Sequence, residues 1–389
     1  MDIKFSKKKQ EEIFSGIVGM IILFLFLDNA IKVFCALDSI DIYLKIVISA
    51  TIMITSPLIL SRIKYKHLIW LFCSLIIIIG NILFFPQNNI FFYKTCTVFL
   101  PLCFTPMIIV SIIDSYDILY KKLYKISILI ALICICTDIM VINGNIGLQI
   151  IEGYSMGLGY SCLIPIMILT NEFLKKIDIY NLIMILGVLF IIISFGSRGP
   201  LLSILIYFIL LLKNKFKNIT LFFIIILMIS ALVSLYYKEI IEIIVSVLDE
   251  FDIHSRTLFL LHNELNHSSG RTYLYNIALN EIANNPFLIR GINADYLLLG
   301  GYAHNFIIEL SLEFGLVIGI LCSILIIYYA LLNIFNNNAT DDLGILLLCA
   351  SIIPLCFSSS LWINNTFWMW IGLQLNKKKL LLQKRKEVY

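Results

Sequence analysis

The 389-residue chain is 60% hydrophobic and only 14% charged, with a mean hydropathy of +0.96. Soluble domains lie nearer about 45–50% apolar and about 25% charged, so an ordinary cytosolic enzyme is excluded, as are disordered and collagen-like chains. The net charge of +4 does not by itself point to nucleic acid, because in a membrane protein it reflects where the cations sit relative to the bilayer. The fold class expected is all-α: a polytopic integral membrane helical bundle.

A membrane helix needs about 20 mostly apolar residues. The first such run begins at Ile13. Asp28 and Lys32 follow it, rather than a small-residue cleavage site, so it is read as a span and not a signal peptide. Continuing along the chain, the same ruler predicts about twelve spans, at 13–37, 42–60, 67–85, 91–113, 126–142, 152–170, 179–196, 200–212, 219–237, 304–332, 343–357 and 359–375. The eighth is short, the sixth is rich in glycine and the last two are weakly separated. All ten cysteines lie in apolar stretches, with no Cys-x-x-Cys pair and no nearby histidine at metal spacing. They read as small buried hydrophobes, and neither a metal nor another cofactor is expected.

Charge gives the orientation. With twelve spans, one side carries Lys4 and Lys7–Lys9, then Arg62, Lys64 and Lys66, then Lys121, Lys122 and Lys125, Lys175 and Lys176, then Lys213, Lys215 and Lys217, and the tail from Lys377 to Lys386. These are 21 of the 29 Lys and Arg residues. The opposite side has Arg198, Lys238, Arg256, Arg271 and Arg290. Lys32, Lys45 and Lys94 fall near span ends, where they can snorkel. The positive-inside rule then places both termini in the cytoplasm. One connection, 238–303, is far longer than the rest and lies outside. It is expected to be a partly helical cap within a single membrane domain covering 1–389. Within it, Leu274, Ile277, Ala278 and Ile282 give 271–283 a helical pattern that Asn285-Pro286 ends, and 239–248 reads as a short surface helix.

Certain polar residues call for a reason. Residues 194–200 read Ser-Phe-Gly-Ser-Arg-Gly-Pro, a tight turn before the eighth span with Arg198 at the outer face. Arg198 is either a capping or snorkelling residue or a guanidinium that grips phosphate. Arg271 and Arg290 are further external cations. Asn305, Glu309 and Glu313 fall at i, i+4 and i+8 and predict one polar stripe down the tenth span, while Gly315 and Gly319 offer a small-residue packing face. His304, at the mouth of that span after Gly300-Gly301, is placed to take a proton from a sugar hydroxyl, the bland alternative being a satisfied structural histidine. His254, His262 and His267 complete no metal pattern. Asp28, Asp138 and Glu152 read as structural acids.

The Ser-Arg-Gly turn at 197–199, Gly270-Arg271, Asn285-Pro286 with Gly291, and Ala303-His304-Asn305 with Glu309 and Gly315 together resemble the O-antigen polymerase and O-antigen ligase superfamily of bacterial polysaccharide assembly. Arg290 and Gly301, with ten residues between them, are similar to an Arg-x10-Gly element of some polymerases. The resemblance covers about 194–319; elsewhere it is one of hydropathy.

That resemblance implies metal-independent glycosyl transfer at the outer face of the bacterial inner membrane, from glycans on undecaprenyl diphosphate. Arg198 and Arg271 would stabilise the leaving diphosphate with His304 as base, and Arg290, Asn305, Glu309 and Lys94 would bind substrate. A polymerase joins lipid-linked repeat units and works beside a chain-length regulator; a ligase transfers the glycan to lipid A core. A lipid-linked oligosaccharide flippase is the competing class, although it would not need a long external cap and no repeat relates the two halves of the chain. Membrane lipids are the other expected partner, and nucleic acid is not.

Overall fold

Unbroken runs of Leu, Ile and Phe leave the backbone no polar side chain to compete for its hydrogen bonds, and they favour long helices. The computed structural model describes residues 6–35, 40–143, 155–215, 236, 238–250, 258, 270–335 and 342–387, and all regular structure among them is helical. The expected ninth span (219–237, Tyr236 apart) lies outside the described residues, as do Glu152, His254, Arg256, His262 and His267.

The first three helices are α1 (Lys7–Cys35), α2 (Ile40–Arg62) and α3 (Tyr65–Phe84). The next expected span is composite. Helix α4 (Asn89–Val98) passes through a π-helical turn at Phe99–Phe104 into α5 (Thr105–Ile112). Pro101 and Pro106 lack amide donors, which accounts for the widened turn. Then come α6 (Tyr116–Ile142), α7 (Met156–Ser161), α8 (Leu163–Lys175), α9 (Ile179–Phe195) and α10 (Arg198–Lys215). Of the long connection, 238–249 is helical and α11 (Arg271–Asn284) ends just before Asn285-Pro286, as the pattern predicts. After α12 (Ala294–Leu299) and α13 (Phe306–Phe314) come α14 (Leu316–Phe335), α15 (Asp342–Cys349), α16 (Ile352–Phe357) and α17 (Asn365–Glu387).

Seven of the helical stretches are long and apolar enough to cross a membrane, and Ile179–Phe195 and Asp342–Phe357 are shorter apolar stretches. The outer surfaces agree with that reading. On α3, Tyr65, Phe72, Leu83 and Phe84 are exposed, a surface unsuited to water and ordinary against lipid.

The tenth expected span, 304–332, is not one helix. Gly315, with φ +80°, breaks it into the half-helix α13 and the full-length α14. The chain turns sharply there. A Cβ added to Gly319 would lie 2.5 Å from the Ser311 backbone, although eight residues of continuous helix would separate the two by about 12 Å. The Leu316 amide donates to the Pro286 carbonyl at 2.7 Å, fastening the turn to the loop after α11. The expected span at 343–357 is likewise divided, into α15 and α16.

Polar contacts gather several helix ends at one end of the bundle. Lys7 pairs with Asp114 at 3.0 Å, and Arg62 pairs with Glu11. Lys66 donates to the Leu375 carbonyl at 2.9 Å, Lys175 lies 3.9 Å from Asp342, and Lys213 donates to the Ile334 carbonyl at 3.4 Å. These are helix ends that the charge pattern assigns to one side. The glycine at the sharp turn is open to test. Gly319→Val drives a branched side chain into the Ser311 backbone and is expected to destabilise the protein by about 1–3 kcal/mol, seen as a lower unfolding temperature in detergent.

Candidate functional site

The Ser-Arg-Gly turn between α9 and α10 is shaped by close approach. Neither Gly196 nor Gly199 has a positive φ; what they supply is room. A Cβ on Gly199 would collide with the Tyr160 hydroxyl and lie 3.5 Å from Ser358 Oγ. Opposite, a Cβ on Gly159 would stand 3.1 Å from Pro200. The turn is therefore seated on α7, whose first turn is capped by the Ser155 hydroxyl accepting from the Leu158 amide. Arg198 opens α10 and is partly buried.

Arg271, at the start of α11, reaches the same place. Its guanidinium donates to Ser358 Oγ at 3.4 Å, the one hydrogen bond it makes among the described residues, so most of its five donors remain for a ligand. One turn further along α11, the Tyr275 hydroxyl donates to the His304 carbonyl at 3.4 Å. His304 has φ +56°, a strained conformation for a non-glycine residue. Its ring lies 4.2 Å from that of Tyr302, and its buried Nδ1 has no hydrogen-bond partner among the described residues. Burial, and then the nearby Arg271 charge, push the imidazole down to about pKa 4, so it is neutral at physiological pH.

The loop that carries His304 is held by Asp295, which is 1% exposed. One of its carboxylate oxygens accepts from the Tyr296 amide and the other from the Ala303 amide, each at 2.9 Å. Burial raises this carboxyl to about pKa 6, despite the amides that favour its charged form. Next to it, Asn305 caps α13 by accepting from the Ile307 and Ile308 amides.

Glu309 and Glu313 form the expected polar stripe on α13, and both face protein. Glu309 accepts from the Ser360 hydroxyl at 2.5 Å and the Leu361 amide at 3.1 Å. Glu313 accepts from the Asn293 amide at 2.7 Å and from Trp362 Nε1 at 2.8 Å. Together they fix the run Ser358–Asn365, whose residues line two cavities. One is a space of about 230 Å³ with a mixed lining, in which Asn29, Tyr160, Tyr302 and Ser358 stand among apolar residues such as Leu25 and Ile164. The other is an apolar space of about 110 Å³ lined by Trp70, Phe92, Phe99, Trp362 and Trp368, among others.

Arg271, His304 and the Arg198 turn, distant in sequence, thus converge around Ser358 and Tyr302. The other candidates are placed elsewhere. Arg290 pairs with Glu281 at 2.7 Å, and its own carbonyl accepts from Asn88 at 2.8 Å. Asn305 is a helix cap, Glu309 holds the serine run, and Lys94 is exposed on α4. Asp295, Tyr160, Tyr302 and the 358–365 run were not singled out in the sequence. Three serines and two asparagines between apolar helices were the available signal for the run, whereas nothing local marks Asp295.

No family model, no curated protein and no solved structure matches this chain.

The pH dependence of stability should report Asp295. A carboxyl raised from its ordinary 3.8 to about 6 holds its proton more tightly when folded. Its contribution is therefore greatest below the ordinary value and is lost as pH rises through about 6. His304 acts in the opposite sense, losing stability as pH falls from 6.5 towards 4. Comparing unfolding temperatures of wild type and Asp295→Asn between pH 4 and 7 isolates the carboxyl. The wild type is expected to lose ground to the variant as pH rises.

Proposed function

We propose that the protein is a polysaccharide polymerase that joins undecaprenyl-diphosphate-linked oligosaccharide repeat units at the outer face of the bacterial inner membrane. On this reading the chain makes about twelve spans with both termini in the cytoplasm, and 238–303 is a periplasmic cap. The observation that carries the proposal is the meeting of Arg271 and the Arg198 turn at Ser358, which borders a cavity of about 230 Å³, with a neutral imidazole nearby.

In the reaction, an acceptor hydroxyl attacks the anomeric carbon of the donor glycan. A new glycosidic C–O bond forms and the bond to the diphosphate breaks, so undecaprenyl diphosphate leaves with the electron pair. His304 takes the hydroxyl proton, for which its neutral state is the required one. Arg271 and Arg198 offset the charge that builds on the leaving diphosphate, a task suited to forked guanidinium donors in a dry site. Ser358 orients Arg271. A diphosphate leaves readily, so no nucleotide is needed at this step. A chain-length regulator is the expected protein partner.

Purified protein given only lipid-linked repeat units should lengthen them into a ladder on a gel. A strict need for lipid A core would instead make it a ligase, and movement of lipid across a vesicle membrane without elongation would make it a flippase. Arg271→Ala and His304→Ala should each lower the elongation rate about 10²-fold or more at normal protein levels. Because His304 protonates only near pH 4, elongation should stay level from about pH 8 to 6 and fall below about pH 5. An acid limb centred near 6.5 would count against this histidine as the base.

A further inference from the structure

A row of aromatic rings leads away from His304, and the proposed mechanism makes no use of it. Tyr302 lies 4.2 Å from the His304 ring, Tyr296 lies 6.1 Å from Tyr302, and Phe91 on α4 lies 5.6 Å from Tyr296. All four rings are partly exposed. The row joins α12 and the 300–305 loop that follows it to α4, far earlier in the chain, and one end of it borders the cavity of about 230 Å³ through Tyr302. It is also built from beneath: the two oxygens of Asp295 hold the Tyr296 amide and the Ala303 amide beside Tyr302. A carboxylate buried to 1% exposure and given over to two loop amides fixes both tyrosines relative to His304.

We infer that Phe91, Tyr296 and Tyr302 form a carbohydrate platform that receives the sugars of the glycan and delivers one end of it to His304. Aromatic faces carry partial negative charge and present a flat apolar surface. The axial C–H faces of pyranose rings are apolar and slightly positive, so they stack on such surfaces while their hydroxyls point to water. A row ending at the imidazole suits a linear oligosaccharide whose terminal hydroxyl or anomeric carbon must arrive at the reacting centre. Isolated phosphate would gain little from it. This inference rests on the proposed function in naming which part of the substrate the row holds.

The test uses full-length protein in detergent and two probes: lipid-linked repeat units extracted from the source cells, and undecaprenyl diphosphate without sugar. Tyr296→Ala is expected to weaken binding of the sugar-bearing lipid roughly five- to tenfold and leave the bare diphosphate lipid unchanged. Tyr296→Phe, which keeps the ring, should bind both as wild type does and also controls for folding. Equal weakening of both probes by Tyr296→Ala, or no weakening of either, overturns the platform. The two readings fail separately. If wild type binds the sugar-bearing lipid through Tyr296 but elongates nothing, the platform stands and the polymerase reading falls. If wild type elongates and Tyr296→Ala binds and elongates normally, the polymerase reading stands and the platform falls.

Discussion

Glu309 and Glu313 stand one turn apart on a half-helix, and their described hydrogen bonds come from neutral groups: a serine hydroxyl, two backbone amides and an indole. Each such bond is worth about 0.5–1.5 kcal/mol net, and a buried polar atom that loses its partner costs more than the bond itself. The rest of the site depends on this. The two acids set the path of Ser358–Asn365, that path places Ser358 Oγ, and Ser358 Oγ is where Arg271 and the turn containing Arg198 meet.

The break at Gly315 makes the arrangement possible. A continuous helix from His304 to Phe335 would have carried Glu309 and Glu313 down its length, away from the loops they hold. A left-handed glycine and the close approach at Gly319 turn the chain instead, keeping nine residues of helix as a platform for the loop that bears His304. Asp295 then ties that loop from the opposite side. Three buried acids therefore organise this end of the molecule, each satisfied mainly by backbone or uncharged donors.

Much of the membrane framework was legible from hydropathy, because a bilayer-length apolar run is a one-dimensional signal. The helices at 40–62, 65–84 and 179–195 follow expectations closely, as does the end of α11 before Asn285-Pro286, whereas those at 7–35 and 116–142 begin six and ten residues before the expected starts at 13 and 126. The break at Gly315 was not legible as a break: glycine inside an apolar run reads equally well as a packing face, and the choice depends on whether Ser311 and the Pro286 carbonyl lie alongside. In the site, residue type marked Arg271 and His304, but it could not separate them from Arg290. That distinction rests on Glu281, nine residues away across a loop, which pairs with Arg290 and leaves Arg271 to Ser358. Asn305 and Glu309 were picked out for their polarity and proved to hold up a helix end and a neighbouring segment, tasks as demanding of a polar side chain as contact with a ligand.

One short segment faces two spaces. Residues 363–366 line the larger, while Trp362 and Trp368 line the tryptophan-walled one. Trp362 is held by Glu313, and Ser358, at the head of the segment, lines the larger space and holds Arg271. A molecule that displaces this segment in one space therefore reshapes the other, and the two acids on the half-helix set how strongly filling one is felt in its neighbour.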